Sequence, residues 1–455
     1  MTDFLRQHFP TWTLWLTGLS LALCVGTTAS AEPQEATPQE KYQQFFRNSA
    51  HAIATNDDLA PLYQAIGDRR FVLLGESSHG TREYYQKRAQ ISQHLITHKG
   101  FRFVGVEGDW PSIYRLNEYV KLRTDDEQNA RAWTKQNITR WPSWMWANEE
   151  FLSFIEWLRE HNAELDEDQR VGLFGLDMQD PESAITEVLQ WLRENDKDNY
   201  EFAADVYSRI LDFPEGMRGY ARYLMGGGSR LNDEVADVAA RLRAAMGENP
   251  AEANKDLWVA KQNALVVKRA EAQFHAATTD GPESWNTRAR FMHEQMLRIA
   301  ERYGDQSRGI VWAHNTHVGD SAATDMRNRG EVNIGRLTRE SEGSDQVFIL
   351  GFGTNKGEVV AGHNWGAARQ VMTVPPAQPS TYEALMHNSG LNTALLLFTE
   401  EARSGALVTP LHQRAIGVIY RPPNEAYVPT ILTLRYDGFL YIDETQALRP
   451  LKEES

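Results

Sequence analysis

Ionisable and polar side chains follow four short apolar runs, at the points where predicted strands end. They are Glu76 and His79 after the first run, Glu107 and Asp109 after the second, Asp177 and Gln179 after the third, and His314 and His317 after the fourth. Ligands of open α/β sheets bind outside the carboxyl ends of the strands, so we expect these side chains to share one site. Histidine is the usual general base near neutral pH, and a nearby carboxylate would hold its tautomer. The pattern therefore predicts a histidine base that activates water.

The candidate residues differ in how far the sequence alone defines them. His79 is favoured as functional because a carboxylate precedes it by three positions and a strand leads into its turn. Glu107 has two interpretations, a carboxylate that satisfies helix N-termini or one that faces His79. Arg88 fits a solvated helix face or, if it faces inward, a group that binds a carboxylate or an oxyanion. His314 and His317 are favoured as functional over a polar turn that faces water.

Sequence motifs for other chemistries are absent. The run Gly75-Glu76-Ser77-Ser78-His79 departs from the G-x-S-x-G nucleophile elbow at its last position. The chain also has no Walker A loop, no H-E-x-x-H and no dinucleotide fingerprint. A serine nucleophile at Ser77 or Ser78 stays open without a motif to support it, and no cofactor is expected.

Strand-like and helical segments alternate along the chain. A helical start over 41–66, broken near 56–58, precedes the strand Phe71–Leu74, and Thr81 is predicted to cap a helix that ends at Gly100. Further strands are predicted at 101–106, 171–176, 309–313, 347–352, 395–398, 415–420 and 431–434. A helical insertion is predicted over about 181–302. The expected fold class is α/β, with a mostly parallel sheet and the insertion on one side.

The first 31 residues have the pattern of a secretory signal peptide. An apolar stretch from Trp12 to Val25 leads to Ala29-Ser30-Ala31, a small-x-small cleavage site. An uncleaved anchor is the alternative, and the partial lipobox that ends at Cys24 is disfavoured by the bulky residue before it. The only cysteine is Cys24, so residues 32–455 can form no disulfide. We therefore predict a periplasmic or secreted protein that is free of the membrane after cleavage.

Composition narrows the class of partner. The length suits one large domain with an insertion, which we assign to residues 32–455, or two closely joined domains, and 41% hydrophobic residues indicate a globular chain. The formal net charge of -15 disfavours nucleic acid, whose phosphates an acidic surface repels. Five tryptophans crowd one region, where most are expected to pack helices and some to line an apolar cleft: Trp133, Trp141, Trp144, Trp146 and Trp157.

Several of these segments together resemble the erythromycin esterase family. The resemblance rests on Gly75–Glu83, on Val106–Trp110, on Phe154–Asn162, on Gly175–Gln179, on Trp312–Asp320 and on Tyr436–Thr445, and it covers nearly all of residues 32–455. One departure lies in the helix before the late strand, where Ala289 stands in place of an aspartate and Gln295 near an asparagine. The resemblance implies a three-layer α/β/α fold with a helical lid, and hydrolysis of an ester or lactone, in known members a macrolide lactone.

The resemblance also implies roles for residues at matching positions. His79 would be the base, Glu76 and Glu107 would orient and tune it, and Arg88 and His314 would complete the catalytic set. The side chains expected to contact a small-molecule substrate are Glu83, Asp109, Trp146, Asp177, Gln179, Arg288 and His317.

Two other functions remain as hypotheses. In the first, His79, His314, His317 and Glu107 are chemically suitable zinc ligands, which would make the protein a metal-dependent hydrolase or peptidase. In the second, the tryptophans bind a glycan or hydrophobic ligand in a non-enzymatic envelope protein. A paired base and carboxylate disfavours the second, because simple binding needs no such pair.

Overall fold

A computed structural model describes residues 36–124, 129–246, 254–279, 281–422 and 427–452. The predicted signal peptide, residues 1–31, and Cys24 lie outside these ranges. Within them, no helix combines the length and the apolar character that crossing a bilayer requires.

One large mixed sheet positions the site. Its nine strands have the order β1-β8-β11-β6-β2-β5-β3-β4, with β7 paired to β6, and β9 and β10 form a separate pair. The strands are β1 His51–Ala52, β2 Phe71–Leu74, β3 Phe101–Asp109, β4 Gly172–Asp177, β5 Arg308–Trp312, β6 Val347–Ala361, β7 Gln370–Val374, β8 Thr393–Leu397, β9 Leu411–Arg414, β10 Tyr427–Thr430 and β11 Gly438–Thr445. The run from β11 to β4 is parallel, whereas β1, β7 and β8 pair antiparallel. Neighbouring parallel strands bring their carboxyl ends to the same edge.

Helices cover both faces of this sheet. They are α1 Pro38–Ser49, α2 Ala60–Ile66, α3 Arg82–Lys99, α4 Trp110–Val120, α5 Ala130–Asn137, α6 Glu149–Ala163, α7 Pro181–Asn195, α8 Lys197–Leu211, α9 Met217–Met225, α10 Asn232–Ala245, α11 Lys255–Ala276, α12 Glu283–Tyr303, α13 Asn315–Val318, α14 Ile334–Glu342, α15 Tyr382–Asn388 and α16 Leu432–Arg435. The predicted α/β class is confirmed. The lid role given to 181–302, which α7 to α12 largely occupy, stays a prediction.

Strand β2 shows why the sheet needs two helical layers. Its side chains alternate between two apolar cores, with Phe71 and Leu73 in one and Val72 and Leu74 in the other. Helices α7 to α12 contribute to the first core, and α2, α3 and α6 contribute to the second. A strand buried on both faces is a continuous apolar run, which is the pattern that the sequence shows.

Local signals fix where α3 begins and ends. Gly100 follows it in the left-handed conformation, with φ 67°, as expected for a glycine after a helix. The predicted cap by Thr81 is wrong in detail. Thr81 occupies the N-cap position, but its hydroxyl bonds to the hydroxyl of Ser78 at 2.6 Å and not to the helix backbone.

Two predicted strands are corrected by the structure. Residues 415–420 form no strand, because Ile416 exchanges backbone hydrogen bonds with Ser77 and His79 and so holds the turn after β2. Residues 432–434 belong to α16, and Ile431 is the N-cap residue between β10 and this helix. The helical segment predicted over 41–66 is interrupted by β1. The sequence analysis predicts no strand at β7, β9, β10 or β11, although Phe439–Ile442 in β11 is a continuous apolar run.

Candidate active site

His79 lies in a tight turn at the carboxyl end of β2. Gly80 makes the turn possible, because its φ is 75° and a Cβ there would collide with the backbone of Val360. The Nδ1 atom of His79 is 2.7 Å from Oε1 of Glu76, and Arg88 donates to the other carboxylate oxygen at 2.9 Å. All three side chains are buried. The carboxylate thus orients the ring and leaves Nε2 available to a molecule in the adjoining cavity.

The surroundings of His79 favour its charged form. Burial lowers the pKa of the imidazole, but the Glu76 carboxylate, with help from Glu107, overcomes this and raises the pKa above 6.5. A nearby Arg88 guanidinium opposes that rise. The turn therefore holds a histidine that can accept a proton and then be stabilised as an imidazolium.

Glu107, at the end of β3, links several parts of the site. Its Oε2 accepts the backbone N–H of His314 at 2.9 Å, and its Oε1 accepts from Arg288 at 2.9 Å and lies 3.2 Å from Nε2 of His317. Burial raises the pKa of Glu107, but His317, with His79 and Arg288, lowers it well below its usual range. The two sequence interpretations are thus both partly met: Glu107 binds a helix-start N–H and faces the histidines.

Arg288 of α12 is the central cation of the site. It donates to both oxygens of Asp177, at 2.6 to 3.1 Å, and to Glu107, and its Nη1 lies 3.1 Å from Nε2 of His317. Burial lowers its pKa, but Asp177 and Glu107 reverse this, and the net shift is upward. The positive charge among these carboxylates is therefore a permanent one.

His314 differs from His79 in its electrostatics. Its Nδ1 accepts the backbone N–H of Thr316 at 3.2 Å, so a neutral ring carries its hydrogen on Nε2. Nε2 has no hydrogen-bond partner among the described residues. Burial, together with His79, lowers the pKa of His314 well below 6.5, against the weaker effects of Glu107 and the Ser77 backbone. With ring centroids 4.9 Å apart, the two histidines have pKa values shifted in opposite directions, upward for His79 and downward for His314.

A cavity of about 750 Å³ lies against these groups. Nine of the predicted residues line it: His79, Glu107, Asp109, Trp146, Asp177, Gln179, Arg288, His314 and His317. Asp109 pairs with Arg140 at 3.1 Å, and burial raises the pKa of Asp109 to about 7 against the effect of Arg140. Trp146 donates its indole N–H to the carbonyl of Glu107 at 3.0 Å. Gln179 donates to Gln273 at 3.1 Å.

Three predicted residues lie elsewhere. Glu83 does not line the cavity, because its carboxylate accepts the backbone N–H of Gln446 at 2.9 Å on the far side of the turn. Arg88 faces inward, where it donates to Glu76 and lies against the rings of Tyr85 and Trp312. It does not line the cavity, so it does not contact an oxyanion there. Glu76 contacts the Nδ1 side of the His79 ring and is not itself part of the wall.

Other wall residues were missed by the sequence analysis. Trp285 stacks on His317, with centroids 4.7 Å apart and planes 8° from parallel. Trp365 and Arg140 line the same cavity. Trp285 stands one turn before Arg288, which is the signal that could have indicated it; Trp365 has no such signal.

The described part of the chain contains no group of three or more histidine, cysteine, aspartate or glutamate side chains placed to hold one metal ion.

Two proteins of known sequence are similar to this chain. A similar protein, the Erythromycin esterase type II of Escherichia coli, is 30% identical over 129 residues, which is 28% of each chain. YbfO of Bacillus subtilis (strain 168), whose name carries a provisional assignment as a hydrolase, is 21% identical over 93% of this chain and 95% of its own.

The fold and the family follow from two further matches. A solved mutant of the erythromycin esterase EreC, in its open conformation, is similar over 86% of this chain and 94% of its own, with a TM-score of 0.63 and 16% identity. The profile described as Erythromycin esterase matches residues 96–445. The chain belongs to the erythromycin esterase family and is a hydrolase.

Proposed function

We propose that this protein hydrolyses a carboxylic ester or a lactone with water that His79 activates. The observation that carries the proposal is the buried Glu76–His79 hydrogen bond, with Nε2 of His79 left for the cavity. A base held by a carboxylate and placed at a cavity wall is what general base catalysis requires.

The reaction balances with the residues present. Nε2 of His79 takes a proton from water while the water oxygen bonds to the carbonyl carbon, which gives a tetrahedral intermediate with a negative oxygen. His314 also lines the cavity, and in this mechanism its Nε2–H donates to that oxygen. The bond from carbon to the alcohol oxygen then breaks, and the His79 imidazolium returns its proton to that oxygen. The products are a carboxylic acid and an alcohol, which remain joined when the substrate is a lactone.

Arg288 favours this mechanism over the metal-dependent alternative. Its guanidinium bridges Asp177 and Glu107 and lies beside His317, so two of the four suggested zinc ligands, Glu107 and His317, already have a cation as neighbour. Asp177, Glu107 and His317 are thus arranged around the guanidinium of Arg288, a permanent cation that the protein itself supplies.

The substrate class is tested directly with the purified chain. Erythromycin is the first probe, because the relatives with assigned activity are erythromycin esterases. Mass spectrometry is expected to show a gain of one water by erythromycin or by a simple ester with the parent chain, and none with His79→Ala. Equal hydrolysis by both chains would remove His79 from the mechanism.

We also propose that the protein is exported. The support is the sequence pattern of residues 1–31, with its small-x-small site before Glu32. N-terminal sequencing after expression in a Gram-negative host is expected to begin at Glu32, with the protein in the periplasm or medium. A chain that keeps residues 1–31 in the membrane would show an anchor instead.

A further inference from the structure

An exposed tryptophan, Trp365, packs against a half-buried one, Trp141, at the mouth of the cavity. Trp365 lies in the connection between β6 and β7, and it is 54% exposed although it lines the cavity. Its partner Trp141 lies just before the wall segment that ends at Trp146, with ring centroids 4.7 Å apart and planes at 57°. We call Trp141 and Trp365 the aromatic rim. Large apolar side chains left in water at a cavity mouth are typical of a surface that a ligand covers.

The aromatic rim is tied to the cavity wall. Trp141 donates its indole N–H to the carbonyl of Ala367 at 2.9 Å, which holds the two segments together. The Arg140 guanidinium lies 5.9 Å from the Trp365 ring and also donates to Asp109 inside the cavity. The indole faces are therefore placed by contacts that lead directly into the site.

Charge inside the cavity indicates what the rim would bind. The carboxylates on the wall already have cationic partners: Asp109 has Arg140, whereas Asp177 and Glu107 share Arg288. A charged ligand would have to displace one of these partners. A neutral ligand with a broad ring face would gain from the indoles without disturbing them.

We propose that the aromatic rim is a binding subsite for a neutral cyclic body, carried by the ester or lactone substrate. Trp365 supplies the main face, and Trp141 positions it. This inference rests on the proposed hydrolysis, and it adds that the non-reacting part of the substrate determines affinity at the rim. The cavity volume of about 750 Å³ fits a substrate much larger than a small acyl ester.

The test compares three neutral probes: ethyl acetate, cyclohexyl acetate and the macrocyclic lactone oxacyclohexadecan-2-one. For Trp365→Ala we expect KM for the better ring-bearing probe to rise about tenfold relative to KM for ethyl acetate, from the loss of an indole face. Trp365→Phe keeps an aromatic face and should recover part of that loss. Val371→Ala is the matched control, because Val371 is 60% exposed near the same connection but does not line the cavity.

Binding without turnover separates this inference from the proposed hydrolysis. In the His79→Ala background, calorimetry is expected to show weaker binding of the ring-bearing probe after Trp365→Ala and unchanged binding after Val371→Ala. If calorimetry gives this result but the parent chain hydrolyses none of the probes, the proposed hydrolysis is wrong and the aromatic rim is still a binding subsite. The inference is overturned if Trp365→Ala affects all probes equally, or if no ring-bearing probe binds.

Discussion

The floor and the mouth of the cavity are built in opposite ways. At the floor, His79, Glu107 and Arg288 are largely or wholly buried, and each is held by at least one charged partner, which for His79 is Glu76 behind the wall. At the mouth, Trp365 is exposed and is held by ring contacts. Strand ends of the central sheet provide most of the floor, whereas a hairpin connection and the segment before α6 provide the mouth.

This difference separates chemistry from recognition. Reorganising buried, paired charges costs much free energy, so these charges present a fixed electrostatic field to a reacting group. Exposed indoles have few directional bonds and can accept ring faces of several shapes. The comparison teaches that changes at the floor should alter rate, pH dependence or stability, whereas changes at the mouth should alter affinity.

Loss of the base should have the largest effect. His79→Ala is expected to lower kcat by about 10²- to 10⁴-fold with little change in KM, because a general base acts in the transition state. Steady-state kinetics on any ester that the parent hydrolyses measure this.

A histidine–carboxylate pair on the surface, His387 with Asp443, provides the control for His79→Ala. His387 lies 2.8 Å from Asp443 and is 51% exposed, away from the cavity. His387→Ala should leave kcat unchanged. Equal losses in both variants would show that the effect arises from folding and not from the floor.

The charged floor should also dominate local stability. Arg288→Met leaves Asp177 and Glu107 buried without their cation, and breaking such a pair costs about 3–5 kcal/mol in the free energy of unfolding. Arg222 pairs with Glu215 on the surface, where both are more than half exposed, and Arg222→Met should cost at most about 1 kcal/mol. Urea unfolding followed by circular dichroism compares the two. Similar costs would mean that the floor is more solvated than the structure indicates.

The pH dependence of kcat/KM should show how Glu76 shifts the pKa of His79. Only neutral His79 can accept a proton, so kcat/KM should rise with pH through a midpoint above 6.5, the direction in which Glu76 moves this pKa. Glu76→Gln can still accept from Nδ1 but carries no charge, so the midpoint should move to lower pH.

An NMR titration of the His79 ring gives a readout that does not depend on turnover. Because Glu76→Gln leaves the buried Arg88 uncompensated, the double variant Glu76→Gln/Arg88→Met is the stability control. A midpoint that stays in place in Glu76→Gln would mean that the carboxylate does not tune the base.

Much of the cavity floor could be predicted from the sequence, because one rule places polar residues at the carboxyl ends of buried strands. A continuous apolar run such as Phe71–Leu74 favours a strand buried on both faces, and polar residues at its carboxyl end then fall at the ligand edge. The same rule predicted Glu107, Asp177 and His314. Arg88 shows where it stops, because the sequence could not tell which side of α3 faces inward.

The mouth was not predictable for a physical reason. Trp141 and Trp365 are more than 200 positions apart, and only the completed fold brings their rings together. Residues 415–420 show the same limit, since an apolar run that looks like a strand is used to hold the turn of His79. Both depend on tertiary pairing between loops, which has no period along the chain.

The smallest effect is expected at the two serines beside the base. Ser77 bonds to the hydroxyl of Tyr84 at 2.7 Å and Ser78 to that of Thr81, and neither serine lines the cavity. If the floor works through water, Ser77→Ala and Ser78→Ala should keep kcat within about threefold, a barrier change below about 1 kcal/mol. Removal of a true serine nucleophile costs on the order of 10⁶-fold. A loss of that size, with the fold intact by circular dichroism, would replace activated water by an acyl-enzyme.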